Sequence, residues 1–355
     1  MKRGNTIIII TFIVFLFFQF YLKDVVFLKK SPYYNKMIEA ATNMEKITNK
    51  IQKEKIDRGY VIDLTLDKNN TGLIGENYTE ITTTLGGLDA KRTSTNPDFA
   101  ALFTKLFYQL GLEEGDLIAA NLSGSFPGLN LSLISALDTM GIKGIIVSSV
   151  GSSSYGGNIK DFNYLDMEYF LYSNEFIDNK SMGFSLGGAN DVGEEFSEDI
   201  KGEIISKNKN RNLEFFYNEN IDSNIEERYK FYSEQGQIKA FINIGGNLIS
   251  SRGSTDIDNR KILIDSNSMI RGGLIHKYLK EDKPVLHLLG LREISLYYGI
   301  EYDYGNDYTI GSSRIYYEEN DFTNYLNYLI VAIFILLVLY LKRLKYRNNR
   351  ETGKH

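Results

Sequence analysis

Leu117-Ile118-Ala119-Ala120-Asn121-Leu122, followed by Ser123-Gly124-Ser125-Phe126-Pro127-Gly128, Leu129 to Met140 and Ile142 to Ser148, decides the fold of this chain. The first run is short and continuously apolar, the mark of a strand buried on both faces. The Gly/Ser/Pro cluster is a turn, and the next stretch reads as a helix stopped by Gly141. Ile142 to Ser148, with Ile145-Ile146-Val147 inside it, repeats the buried-strand pattern. A helix from Phe99 to Leu110, ended by Gly111, precedes the unit. Helix, strand, loop, helix, strand is the grammar of a parallel sheet covered by helices.

Working outward, further short apolar strands are expected at Ser181–Ser185, Leu213–Phe216, Ala240–Ile244 and Val285–Leu289. Helices are expected at Leu165–Asn174, Ser197–Asn208 and Ile221–Gln235. Between residues 32 and 58, Tyr33, Met37, Ile38, Ala41, Met44, Ile47, Ile51 and Ile56 recur at threes and fours, one apolar helical stripe that either docks on the domain or forms a stalk. Tyr297 to Tyr317, rich in Tyr, Gly and Asp, reads as a surface strand pair. The expected fold class is α/β, a mostly parallel sheet with helices on both faces, Rossmann-like and three-layered.

Both ends are very apolar. Ile7 to Leu22 carries no charge, follows Lys2 and Arg3, and covers roughly 24 Å as a helix. No small-x-small site follows it, which favours an uncleaved anchor over a signal peptide. A second apolar run reaches Leu341, bordered by tyrosines and followed by Lys342, Arg343, Lys345, Arg347 and Arg350. The expectation is an N-terminal anchor (1–30), an extracytoplasmic domain (31–320), a C-terminal transmembrane helix (321–341) and a basic cytoplasmic tail (342–355). Both termini are then cytoplasmic under the positive-inside rule.

Of 355 residues, 43% are hydrophobic and 24% charged, which excludes wholesale disorder. The absence of Cys removes disulfides, thiolate metal sites and a cysteine nucleophile. Net charge is -5 overall, and about -13 once the basic ends are set aside, which excludes nucleic acid held by phosphate neutralisation. No dinucleotide fingerprint, P-loop or G-x-S-x-G elbow is present, and no cofactor or metal is assigned.

Chemistry in such sheets gathers beyond the carboxyl ends of the strands. Four loops there share Gly and hydroxyl residues, whose amides and hydroxyls can donate to an oxyanion. The candidates are Ser123, Gly124 and Ser125; Ser152 and Ser153; Gly187, Gly188, Asn190 and Asp191; and Gly245 and Gly246. Tight turns need the same residues for structural reasons. Asn190, Asp191, Glu194 and Glu195 could hold Ca²⁺ or Mg²⁺, or simply complement a helix dipole. Lys91, Arg92, Ser94, Thr95 and Asn96, before Pro97, could form an anion clamp or a solvated connector. Ser123 and Ser125 are candidate nucleophiles, with His276 or His287 as base.

Several strings in this order are distinctive. They include Thr71-Gly72-Leu73-Ile74-Gly75 with Glu80-Ile81-Thr82-Thr83-Thr84, Ala90-Lys91-Arg92-Thr93-Ser94-Thr95-Asn96-Pro97-Asp98-Phe99-Ala100-Ala101-Leu102, and Ser123-Gly124-Ser125-Phe126-Pro127. Ser148-Ser149-Val150-Gly151-Ser152-Ser153-Ser154-Tyr155-Gly156, Leu165-Asp166-Met167-Glu168 and Asn243-Ile244-Gly245-Gly246 continue the series. Together they resemble the poly-gamma-glutamate system protein family over most of residues 35 to 300. The resemblance implies a place in the envelope machinery that makes, exports or attaches poly-gamma-glutamate, in capsule biosynthesis for example. It brings no assigned catalytic residue.

The expected function is therefore a membrane-anchored accessory protein that binds poly-gamma-glutamate, another polycarboxylate, or the synthase membrane complex. The alternatives are a serine-dependent hydrolase or transferase acting on the polymer, and a non-catalytic scaffold.

Overall fold

The computed structural model describes Ile10, Phe12, Ile13, Phe15, Leu16 and residues 28–252, 262–264, 270–305, 307–320 and 322–351. They form two units, residues 1–32 with 317–355, and residues 33–316.

The larger unit is built on a six-stranded sheet. Its strands are β1 (Leu117–Ser123), β2 (Lys143–Ser149), β3 (Ser181–Ser185), β4 (Glu214–Phe215), β5 (Ile238–Ile244) and β6 (Val285–Leu288). They lie in the order β4-β3-β2-β1-β5-β6, and every neighbouring pair is parallel. The chain moves outward from β1 to β4, then crosses back to place β5 on the other side of β1. The α/β fold with a parallel sheet is as the sequence predicts.

The helices are α1 (Tyr34–Asp57), α2 (Leu88–Ser94), α3 (Asp98–Gln109), α4 (Pro127–Met140), α5 (Tyr164–Ser173), α6 (Glu198–Lys209), α7 (Ile221–Glu234), α8 (Leu248–Ser251), α9 (Gly273–Lys280) and α10 (Leu291–Tyr298). α1 docks rather than standing free. Met37, Ala40, Ala41, Met44, Ile47 and Ile51 are buried, and the helix packs on α3 and α4. Each large side chain of that stripe contributes about 1.5–3 kcal/mol at most. α4 opens on Pro127, whose missing N–H matters least in a first turn, and closes on Gly141 in the left-handed conformation at φ 66°. On the opposite face α7, α8 and α9 cover Ala119, Val147, Phe241 and Val285, with the Phe241 and Tyr278 rings stacked at 4.6 Å.

Two segments differ from expectation. Residues 82–98, for which no strand or helix is expected before Pro97, carry both: Thr82–Thr84 pairs in parallel with Ser152–Ser153, and Leu88–Ser94 forms α2. The strand pair expected at Tyr297–Tyr317 is instead a helix end and a chain of turns closed by a 3₁₀ turn at Arg314–Tyr316. Side chains pin it in place of ladder bonds, since the hydroxyls of Tyr308 and Tyr316 both donate to Asp98 Oδ1 at 2.6 Å.

In the smaller unit, Leu28–Lys30 pairs antiparallel with Tyr317–Glu319, and α11 (Phe322–Glu351) follows. Phe15 stacks on Phe334 of α11 at 4.1 Å. The side chains of α11 are described in part. Among the described residues no helix is long and apolar enough to cross a membrane, so the flanking membrane helices are not established. Apart from the five residues named above, the first apolar run lies outside the described residues, as do Lys2, Arg3 and Lys354.

Candidate functional site

Strand order reverses between β1 and β5, and a crevice at the carboxyl ends of such a pair is where open α/β sheets bind ligands. All four Gly/Ser loops reach that rim and touch in series. An added Cβ on Gly124 would stand 2.7 Å from Val150 O, so only glycine lets the first loop lie on the second. Val150 N–H and Gly151 N–H donate to Ser185 O and Leu186 O at 3.0 and 2.8 Å, joining the second loop to the third. Gly245, at φ 99°, lies so close to β1 that an added Cβ would sit 2.6 Å from Ser123 Cβ. Along this line Ser123, Ser125, Gly188 and Asn247 are half-buried and Gly246 is exposed, whereas Ser152 and Ser153 are buried.

The candidate anion clamp is engaged within the fold. Arg92 makes a bidentate contact with Asp303, Nε at 2.6 Å and Nη2 at 2.9 Å. Ser94 Oγ donates to Lys91 O at 2.6 Å, and Thr95 Oγ1 to Arg92 O at 2.8 Å. Asn96 Oδ1 accepts the Asp98 N–H at 2.9 Å. Arg92, Thr95 and Asn96 also fasten the 299–316 segment, through Asp303, the Tyr304 hydroxyl and Glu301 O, while Ser94 bonds within α2.

Lys91 points the other way, toward the rim. Its ammonium group donates to Ser125 O at 2.6 Å and meets Ser153 Oγ at 2.7 Å, over the Phe126 ring at 3.7 Å. The residue is 3% exposed. Burial pushes its pKa down to about 7. Ser125 Oγ in turn accepts the Ser153 N–H at 2.9 Å. Gly86 covers the pair, since an added Cβ there would meet Ser153 Oγ at 3.0 Å and Lys91 Cε at 3.2 Å. In the sequence Lys91 reads as an anion ligand or a solvated loop charge, and its burial against Ser125 and Ser153 is not legible there. The signal available is the hydroxyl run Thr93-Ser94-Thr95 close after it, all three buried.

Beneath the rim, on the α7 face, runs a buried polar chain. Ser185 Oγ donates to Asp191 Oδ1 at 2.8 Å, and Arg228 of α7 reaches Asp191 Oδ2 at 2.6 Å and Asn121 Oδ1 at 2.7 Å. Asn121 Nδ2 donates to Ser250 Oγ at 3.0 Å and Asn243 Oδ1 at 3.3 Å, and Asn243 Nδ2 lies 2.8 Å from His287 Nδ1. Burial pushes the His287 pKa down to about 4, leaving it a neutral part of the chain. No described hydrogen bond joins a histidine to Ser123 or Ser125, and His276 sits on α9, across the sheet from α4.

The third loop turns inward as well. Asp191, expected as a ligand, is buried at 2% exposure against Arg228. Asn190 Nδ2 donates to Glu194 at 2.9 Å and the Ala189 N–H to Glu195 at 3.1 Å. Among the described residues no group of three or more His, Asp and Glu could hold a metal ion. A cavity of about 660 Å³, lined by Glu39, Asn43, Lys46, Lys50, Asp138 and Asp178 among others, lies by the C-terminal end of α4, away from the rim.

No protein-family model, no curated protein and no solved structure matches this chain.

Proposed function

We propose that this chain is a membrane-anchored, extracytoplasmic accessory protein of a poly-gamma-glutamate system, presenting the carboxyl rim of its sheet to the γ-linked polymer or to the synthase complex. The polymer comes from the sequence resemblance. The observation that carries the site is the meeting of four glycine and hydroxyl loops where the strand order reverses, beside Lys91. The anchors rest on hydropathy, and exposed Leu329, Ile333, Leu336 and Leu339 along α11 are consistent with lipid contact.

Full-length protein in detergent micelles tests this by fluorescence anisotropy with labelled poly-gamma-glutamate over a salt series. Saturable binding that weakens as salt rises is expected. Absence of saturable binding at low salt removes the polymer as ligand. Because the chain has no Cys, single introduced cysteines flanking the apolar runs report topology with an impermeant thiol reagent.

A second reading, a hydrolase or transferase of the same polymer, is favoured by one observation, the contact of Lys91 with Ser153.

A further inference from the structure

We propose that Ser153 and Lys91 are a nucleophile and general base for acyl transfer at a γ-glutamyl carbonyl, under a cover formed by the backbone at Gly86. The choice of substrate rests on the preceding reading; the pair itself rests on geometry.

Four observations converge. First, Lys91 Nζ and Ser153 Oγ stand 2.7 Å apart, within the reach a base needs to take a hydroxyl proton. Second, the amine is buried, with a carbonyl, a hydroxyl and an aromatic face around it. Burial costs the ammonium its water and outweighs the hold of those acceptors, and the resulting pKa of about 7 makes a neutral amine abundant at neutral pH. One N–H then stays on Ser125 O, which aims the lone pair at Ser153 Oγ. Third, the Ser153 N–H is fixed on Ser125 Oγ at 2.9 Å, so the nucleophile's backbone is locked to the loop after β1. Fourth, the cover is thin: it is the Thr84–Gly87 stretch, in which Leu85 is 85% exposed. Displacing that stretch breaks the pairing of Thr84 with Ser153 and the Ser154 N–H bond to Thr84 O, uncovers Ser153, and leaves the six-stranded sheet intact.

The step balances. Ser153 Oγ bonds to the amide carbonyl carbon as its proton moves to Lys91 Nζ, giving a tetrahedral oxyanion and an ammonium. The oxyanion collapses, the C–N bond breaks, and Lys91 returns the proton to the departing amine, leaving an ester on Ser153. Water attacks that ester, Lys91 takes its proton and returns it to Ser153, and the shortened chain leaves as a carboxylic acid. An amine in place of water makes the same cycle a transferase.

A fluorophosphonate probe on the full-length protein in micelles, with peptide mapping, tests the pair without the polymer. Labelling of Ser153 is expected, about tenfold faster at pH 8 than at pH 6, as the amine deprotonates. S153A abolishes the label. K91M and K91R, each checked for an unchanged circular dichroism spectrum, label at least about 100-fold more slowly and without the inflection. No labelling of wild type from pH 6 to 10, a label on Ser123 or Ser125 instead, or an unchanged rate in both Lys91 variants overturns the proposal. Poly-gamma-glutamate chain length is scored in parallel. A labelled Ser153 with an uncut polymer keeps the pair and removes the substrate, whereas saturable polymer binding with no label does the reverse.

Discussion

Arg228 on α7 and Asp191 in the loop after β3 meet at 2.6 Å with 1% and 2% of their side chains exposed. The pair exists because α7 carries the chain back from the edge strand β4 to the centre, bringing a guanidinium under the third loop. Burial raises the Asp191 pKa, and the Arg228 charge and hydrogen bonds oppose that rise. Removing one partner of such a pair leaves an isolated charge in a dry interior. Arg228→Met is expected to cost about 3–5 kcal/mol in urea unfolding, and adding Asp191→Asn to recover a large part of it. If the double variant is no more stable than the single one, the two side chains are not coupled in this way.

The Lys91 pKa fixes a sign for stability against pH. Burial lowers it to about 7, below the value near 10.4 of an unfolded lysine, so between those limits the unfolded chain holds the extra proton. Its contribution to stability therefore rises with pH from about 7 to about 10, by up to roughly 1.4 kcal/mol per unit. Lys91→Met should flatten that slope relative to wild type. Equal slopes in denaturant titrations at pH 7, 8, 9 and 10 would count against a buried, easily deprotonated amine.

His287 works in the acid range. Its pKa is pushed down to about 4 by burial, below the unfolded value near 6.5, so the unfolded chain gains a proton first as the solution is acidified. Stability should fall as pH drops from about 6.5 to about 4, again by at most roughly 1.4 kcal/mol per unit. In His287→Gln, thermal midpoints across that window should change less than in wild type. A variant whose midpoints track wild type throughout places the acid sensitivity elsewhere.

Arg92 offers the sharpest choice between tether and clamp. Burial tends to raise the Asp303 carboxyl, but the hydrogen bonds from Arg92 and Lys68 outweigh it and hold the group below the usual range. With both side chains mostly shielded, Arg92→Ala should destabilise by about 1–3 kcal/mol and leave polymer affinity at 25 °C within about twofold. A loss of affinity with unchanged stability would return Arg92 to the binding face.

Much of the sheet was legible in the sequence because buried parallel strands have little choice of pattern. Leu117–Leu122 and Ile142–Ser148 were readable as continuous apolar runs between Gly/Ser turns, and the observed strands shift those ends by a residue. The stripe from Met37 to Ile51 marked a helix for the same periodic reason. The 82–98 segment was not legible because its polar residues look solvated, while their partners, Asp303, Tyr304 and Ser153, lie up to about two hundred residues away.

Sequence by itself determined the alternation of strands and helices, the shared Gly/Ser composition of the rim loops, and the lack of thiol or nucleotide motifs. Those are local properties, written in periodicity and residue type. Tertiary structure alone decided the strand order, and with it which loops touch, that Arg92 serves Asp303 while Lys91 serves Ser153, and that His287 joins Asn243 rather than a serine. Adjacent residues on a helix point about 100° apart. Neighbouring cations can therefore meet entirely different partners, and only the packing of distant segments shows which.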